Sequence, residues 1–181
     1  MEEVDNVNQE QFARKRVKEA LEKKKAEDIK NLVMTVALEA RGEGEEGMFA
    51  VAKSIINRHN MINSGEVPPY TFNVKTKKPT FLDIISADKQ YAVYDEKNKK
   101  FKKQKSPVTS DDLSLAKAMV DLASNDELTD IFIQATGLPS EVKEVTGFRN
   151  INAEYDPSQD VGTFVIGNHQ FNLAGVPEAE E

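Results

Sequence analysis

The 181-residue sequence contains no cysteine and only two histidines, His59 and His169. The missing thiols exclude a disulfide framework, a cysteine nucleophile and a thiolate metal site. No apolar run approaches the roughly 18 residues of a membrane-spanning helix, so membrane insertion is not expected. Motifs for a serine nucleophile elbow, a phosphate-binding loop and a dinucleotide-binding loop are also missing. With two imidazoles at most, a zinc site is not expected, and no cofactor is predicted.

The charge is unevenly distributed along the chain. The formal net charge is −7, which disfavours a general nucleic-acid-binding protein. Residues 75–105 nevertheless carry a net charge of +6, whereas residues 106–181 carry −11. The densest basic stretch is 97–105. It is interpreted either as a solvated loop or as a patch for an anionic polymer or an acidic partner surface.

The apolar pattern predicts a mainly helical protein of the α+β type with a minor β element. Residues 1–30 have a thin apolar stripe among many charges, which favours an N-terminal helical extension or docking arm. Residues 31–175 are predicted to form the domain, and residues 176–181 an acidic tail. From residue 128 onward the chain contains recurrent glycine and proline, and a short strand pair or an extended segment is predicted to turn at Gly167–Asn168.

Four segments of the domain and its arm have the spacing of helices. They are an arm helix over 9–30, a core helix over 30–41, a second buried helix over Met48–His59, and a helix over Asp111–Ala123 with Ser110 as N-cap. A shorter helix is predicted over 80–86, with Thr80 as N-cap and Asp83 in its first turn.

Glu39 is the carboxylate whose surroundings are most unusual. It follows Val36, Ala37 and Leu38 on the buried helix and precedes a glycine-rich opening. A general acid that works near neutral pH needs such apolar surroundings, because desolvation disfavours the anion. The alternative is that Glu39 only pairs with Arg41 or caps a local turn. Glu43 is a candidate second carboxylate, but a break at Gly42 would separate it from Glu39. The pattern favours a solvated position for Glu43, or a charge at the N-terminus of the following helix.

Four blocks of sequence, in one order, carry a family resemblance. They are Glu39–Glu43 with Glu46–Gly47 and Asn57–Arg58, then Lys89–Val93, then Thr146–Asn150, and finally Ile166–Phe171. Together they resemble the SleB-type cell wall hydrolase family, which includes spore-cortex-lytic enzymes. The lysine-rich insertion 96–105 and the helix over 9–30 are not parts of that family's core. A consecutive aromatic pair that is usual near the third block is replaced here by Gly147–Phe148–Arg149.

The resemblance implies a lysozyme-like, lytic-transglycosylase-like domain that cuts the glycan strands of peptidoglycan with one acid/base glutamate, Glu39. The expected product carries a 1,6-anhydromuramic end, or a reducing end if the enzyme is a muramidase. The residues expected to line the sugar cleft are Gln90, Tyr91, Phe148, Asn150 and His169. Tyr91 and Phe148 are equally plausible as core aromatics, and His169 as a residue that only binds a loop carbonyl.

Residues 1–30 contain no apolar segment of the kind found in a secretory signal. A wall-cutting enzyme without a signal is expected to be a bacteriophage protein, carried in the virion or held in the host cytoplasm before lysis. Residues 1–30 or 97–105 would then dock on a tail or baseplate protein. Two alternatives remain: a non-catalytic virion protein that retains the fold, and a stem-peptide amidase, which the lack of a metal-ligand set disfavours.

Overall fold

A computed structural model describes residues 2–87, 91, 93–95, 97–150 and 163–173. The predicted mainly helical class with a small β part is confirmed over these residues. The helices are α1 (Glu2–Ala40), α2 (Gly44–Ser64), α3 (Phe81–Ile85), α4 (Ser110–Ala123) and α5 (Asp126–Thr136). The strands are β1 (Tyr94–Asp95), β2 (Lys100–Phe101), β3 (Val145–Asn150), β4 (Thr163–Ile166) and β5 (His169–Leu173). Two 3₁₀ turns cover Pro69–Phe72 and Ser140–Glu144.

The first helix is continuous, so the prediction of two separate helices over 9–30 and 30–41 is wrong. Residues 2–40 contain neither glycine nor proline, and nothing interrupts the ladder of backbone hydrogen bonds. The side chains of residues 11–27 are all exposed, including Phe12 and Leu21. Burial begins near Asp28 and is complete at Leu32 and Val36. The exposed N-terminal half therefore joins the core without a linker.

The second helix is the centre of the core. It runs from Gly44 to Ser64 and is longer than the predicted Met48–His59. Gly65 ends it in the left-handed conformation (φ 84°) and donates its N–H to the carbonyl of Ile62. α1, α3, α4 and β3 all pack against α2. This arrangement holds the C-terminal end of α1 beside the first turn of α2.

The C-terminal helices differ from the prediction. Thr109, and not Ser110, is the N-cap of α4, because Thr109 and Asp112 each accept a hydrogen bond from the other's backbone N–H. Ser110 is therefore the first helical residue. α5 was not predicted at all, although Asn125 caps it by accepting from the N–H of Leu128. Its apolar residues Leu128, Ile131, Phe132 and Ala135 nevertheless have helical spacing, and Gly137 ends the helix in the left-handed conformation.

Helix α3 is held by two caps. The predicted N-cap Thr80 is confirmed, and it forms a reciprocal capping box with Asp83. Asp28 of α1 supplies a second cap: its carboxylate accepts from the N–H of Phe81 (2.9 Å) and of Leu82 (3.0 Å). These two bonds tie the point where α1 becomes buried to a helix of five residues.

We expect Asp28→Ala to lower the free energy of unfolding by about 1–2 kcal/mol, because it leaves two helix N–H groups without their acceptor. Glu27→Ala is the matched control, since the neighbouring exposed Glu27 only approaches Lys30 at 4.0 Å. It should cost about 0.5 kcal/mol or less. Chemical denaturation measures both values. Equal losses for the two variants would contradict this role of Asp28.

A three-stranded antiparallel sheet in the order β3-β5-β4 closes the core. The predicted turn at Gly167–Asn168 is confirmed, and it joins β4 to β5. Phe171 of β5 lies opposite Phe148 of β3 on one side and Phe164 of β4 on the other. A second, two-stranded sheet pairs Tyr94 with Phe101. Among the described residues, no helix is both long and apolar enough to cross a membrane.

Candidate active site

Glu39 lies on the last turn of α1, as the sequence predicts for a residue at the end of a buried helix. Its side chain is half-buried, and its neighbours Ala37 and Ala40 are fully buried. The Oε1 atom accepts a hydrogen bond from the backbone N–H of Val93 (3.3 Å). Glu39 therefore lies at the edge of the core, where its carboxyl is partly shielded from water and partly accessible.

Tyr91 lies next to Glu39 and is buried. Burial raises the pKa of its phenol above the ordinary value of 10.0, and the nearby Glu39 carboxylate acts in the same direction. The Arg58 guanidinium and the Ser54 hydroxyl lower the pKa of Tyr91 but do not offset the burial. The phenol therefore keeps its proton at neutral pH, and its buried hydroxyl has no hydrogen-bond partner among the described residues.

Three rings extend from Tyr91 along the sheet. The ring of Phe148 lies 5.7 Å from that of Tyr91, and the imidazole of His169 meets Phe148 edge-on at 5.1 Å. Phe148 also contacts Phe171 of the core at 5.7 Å. The sequence left open whether Tyr91 and Phe148 are core aromatics or line a cleft. Their packing is compatible with both, since Tyr91 is buried and Phe148 is only half-buried.

Glu43 lies at the far end of this row of rings, with its side chain 10% exposed. Its Oε2 accepts from the backbone N–H of Asn168 (2.6 Å), and its Oε1 lies 3.3 Å from the Asn168 amide and 3.8 Å from Nδ1 of His169. A Cβ at Gly167 would overlap Oε2 of Glu43, and one at Gly47 would overlap its Cβ. The carboxylate is thus enclosed between the first turn of α2 and the β4–β5 turn.

The two glutamates differ in what their carboxyl groups can do. Glu43 accepts hydrogen bonds from Asn168, and these contacts hold the turn that carries His169. Glu39 is half-buried as well, and its Oε1 accepts from the backbone N–H of Val93. The solvated position considered for Glu43 is wrong, because its side chain is only 10% exposed. Its place at the N-cap of α2 agrees with the alternative of a charge at the N-terminus of that helix.

Arg58 is a buried residue of the first block that the sequence did not indicate as a site residue. Its guanidinium lies 5.0 Å from the ring centre of Phe72 and 5.7 Å from that of Tyr91, and its Nε donates to the carbonyl of Thr146. The adjacent Asn57 donates to the carbonyls of Lys143 and Val145. This Asn–Arg pair therefore fixes β3 on α2 and holds Tyr91 in place.

The remaining predicted residues are less fully described. Gln90 and the acidic tail 176–181 lie outside the described residues. Asn150 ends β3, where its backbone pairs with that of His169. The structure therefore places Glu39, Tyr91, Phe148, His169 and Glu43 in one continuous row, with Asn150 at the same end of the sheet as His169.

Two other features lie outside this row. A cavity of about 490 Å³ is lined by residues of the C-terminal half of α2, including Asn57 and Ser64, and by Lys143 and Leu173. It faces away from the end of α2 that adjoins Glu39. Within the described part of the chain, no three histidine, aspartate or glutamate side chains are grouped to hold a metal ion.

Comparison with known proteins gives no relative. No protein-family model, no curated protein and no solved structure matches this chain. The assignment of function therefore depends on the geometry of this site and on the sequence blocks that form it.

His169 should make stability depend on pH. Burial lowers its pKa below the ordinary 6.5, and the Glu43 carboxylate opposes this only in part. Because the fold favours the neutral imidazole, the contribution of His169 to the free energy of unfolding is fully present above about pH 6.5. It is lost as the pH falls through the lowered pKa of the folded state. Chemical denaturation at about pH 8 and about pH 5 measures this effect. We expect the free energy of unfolding to fall less between these two pH values in His169→Phe than in the native protein. The same pH dependence in both proteins would contradict the assignment.

Proposed function

We propose that this protein cleaves the glycan strands of peptidoglycan, with Glu39 as its acid and base, in a lysozyme-like domain. The observation that supports this most strongly is the position of Glu39. It is a half-buried carboxyl at the rigid end of a core helix, beside a row of aromatic rings. Residues from all four blocks that resemble the SleB-type family belong to this row or hold it in place.

The proposed reaction requires one carboxyl that first donates and then accepts a proton. Protonated Glu39 gives its proton to the glycosidic oxygen between N-acetylmuramic acid and N-acetylglucosamine, and the bond to the muramyl C1 breaks. The resulting Glu39 carboxylate accepts the proton of the muramyl C6 hydroxyl as that oxygen attacks C1. The product is a 1,6-anhydro end and no water is consumed. If water attacks in place of the C6 hydroxyl, the product is a reducing end.

The neighbours of Glu39 suit this chemistry. The Val93 N–H is a donor to the carboxylate form, and the protonated phenol of Tyr91 is a second polar group beside it. Phe148 is the half-buried ring of the row, and an aromatic face is a suitable surface for the apolar side of a pyranose. We propose that Phe148 and His169 line the cleft, with Gln90 and Asn150 contributing amides.

We also propose that the protein acts on the wall as a phage product, either in the virion or after release from the host cytoplasm. The long exposed half of α1 supports a docking role, because Phe12, Val17 and Leu21 on it are each 60% exposed or more. A tail or baseplate protein would be the partner.

The end groups of the digestion products test the proposed reaction. The protein is incubated with purified peptidoglycan, and the soluble fragments are analysed by mass spectrometry and amine labelling. Fragments that end in 1,6-anhydromuramic acid support a lytic transglycosylase, and reducing ends support a muramidase. New free amines without glycan cleavage would assign the activity to an amidase. If no fragments are released, the non-catalytic virion protein is favoured and the proposed function is rejected.

A further inference from the structure

The lysine-rich stretch forms an ordered hairpin, and not only the solvated loop considered from sequence. β1 and β2 pair antiparallel, and the rings of Tyr94 and Phe101 meet edge-on at 5.3 Å. Asp95 closes the turn by accepting from the backbone N–H (3.1 Å) and the side-chain amide (2.7 Å) of Asn98. These contacts give the lysines a fixed position on the protein surface.

Both ends of this hairpin are attached to the C-terminal end of α1. Val93 donates its N–H to Glu39 and accepts at its carbonyl the N–H of Lys102 (2.8 Å). After the hairpin, Arg41 donates to the carbonyls of Ser106 (3.0 Å) and Pro107 (3.1 Å). Only two hydrogen bonds therefore separate the backbone of Lys102 from the carboxylate of Glu39. The hairpin is a wall of the candidate active site.

Residues 97–105 of this wall carry charge of one sign, although Asp95 and Glu96 precede them in the sequence. Residues 97–105 contain six lysines and no acidic residue, and all six lysine side chains are exposed. None of them forms a salt bridge with another of the described residues. Six like charges at close spacing repel one another, and an anionic ligand would relieve that repulsion. Because the chain as a whole has a net charge of −7, this positive wall is a local feature of the site.

We propose that this hairpin, defined by residues 94–105, binds the carboxylates of the stem peptides on the strand that Glu39 cuts. The inference depends on the proposed function, because it assumes that a glycan strand passes Glu39. Each muramyl residue of such a strand carries a peptide with free carboxylates, so the anions belong to the same polymer as the scissile bond. The lysines would then select strands that carry their peptides over naked glycan.

A binding experiment with a variant that should not cleave glycan tests this inference. The full-length Glu39→Gln protein is sedimented with peptidoglycan from which phosphate-bearing wall polymers have been stripped, and binding is measured at increasing salt. The hairpin variant is Lys100→Gln/Lys102→Gln/Lys103→Gln in this background. The matched control is Lys23→Gln/Lys24→Gln/Lys25→Gln, which removes three exposed lysines of α1 that lie outside the site. A second substrate is the same peptidoglycan with its carboxylates amidated.

We expect the hairpin variant to bind the native wall about tenfold more weakly, as the loss of three exposed ion pairs predicts. The control should bind within about twofold of its parent, and binding by the parent should weaken as salt rises. Amidation should reduce binding by the parent to the level of the hairpin variant. The amidated substrate requires no mutation, so it tests the inference even if the hairpin variant misfolds.

Two results would overturn the inference. They are equal binding of native and amidated walls by the parent, and equal loss of binding in the hairpin and control variants. In these cases the intact protein would still release glycan fragments, and the proposed function would stand. If the intact protein neither binds nor cuts the wall, the proposed function fails together with the inference.

Discussion

Glu39→Gln is expected to lower the rate of glycan-strand cleavage by about 10²–10⁴-fold, the usual contribution of a general acid and base. The amide cannot donate the proton that the leaving oxygen needs. Its oxygen can still accept the N–H of Val93, so the free energy of unfolding should change little. Release of soluble fragments from dye-labelled peptidoglycan gives the rate, and chemical denaturation gives the stability.

Glu45→Gln is the matched control for this change. Glu45 is an exposed carboxylate in the first turn of α2, six residues after Glu39, and the same substitution there removes the same charge. Its rate should stay within about twofold of the native protein, because a surface charge contributes little to catalysis at ordinary salt. An equal loss of rate in both variants would show that charge, and not proton transfer by Glu39, limits the reaction.

Gly167→Ala should be the most destabilising single change in the β4–β5 turn. Gly167 has φ +56°, which costs an alanine about 1–2 kcal/mol. In addition, the new Cβ would overlap Oε2 of Glu43 and displace the carboxylate that accepts from Asn168. Loss of a charged hydrogen bond adds about 1.5–3 kcal/mol, so a total of about 3–5 kcal/mol is expected from chemical denaturation.

Gly137→Ala separates the two contributions. Gly137 also has a positive φ (72°), but no atom lies within 4 Å of the Cβ it would gain. This variant should lose only the cost of the backbone conformation, about 1–2 kcal/mol. In a Glu43→Ala background, Gly167→Ala should lower the free energy of unfolding by about as much as Gly137→Ala does in the native protein. A cost at Gly167 that is unchanged by removing the Glu43 side chain would contradict the enclosed position of that carboxylate.

Much of the helical fold could be predicted because its signals are local. The helical spacing of apolar residues in α2 is one such signal. The capping box at Thr80 and the turn at Gly167–Asn168 also involve residues that are neighbours in sequence. The errors have two origins. α5 has local signals too, an N-cap at Asn125 and a glycine end at Gly137, but the glycine and proline residues that follow favour an irregular segment. Thr109 and Ser110 are both acceptable N-caps until the partner at Asp112 is considered.

The site could be predicted only in part, because its contacts are long-range. The apolar context of Glu39 is visible in sequence, but its hydrogen bond to Val93 joins residues 54 positions apart. The bond from Asn168 to Glu43 spans 125 positions, and no local pattern indicates it. The lysine stretch is obvious in composition, whereas its attachment to the end of α1 is a property of the fold alone.

The two glutamates of the first block therefore have different roles in this account. Glu43 is enclosed by Gly47, Gly167 and Asn168, and it fixes the turn beside His169. Glu39 is half-buried and accepts from Val93, the residue that leads from Tyr91 into the lysine hairpin. A single acid/base carboxyl, with a cationic wall on one side and rings on the other, is a suitable arrangement for cutting an anionic glycan polymer.

The most direct test of this account is a mass spectrum of the soluble muropeptides released by the native protein and by Glu39→Gln from the same purified peptidoglycan. We predict glycan fragments with newly formed muramyl ends from the native protein, and none above background from the variant when both are equally folded. Equal release by the two proteins would remove Glu39 as the acid and base. Release by neither would contradict the proposed cleavage of glycan strands.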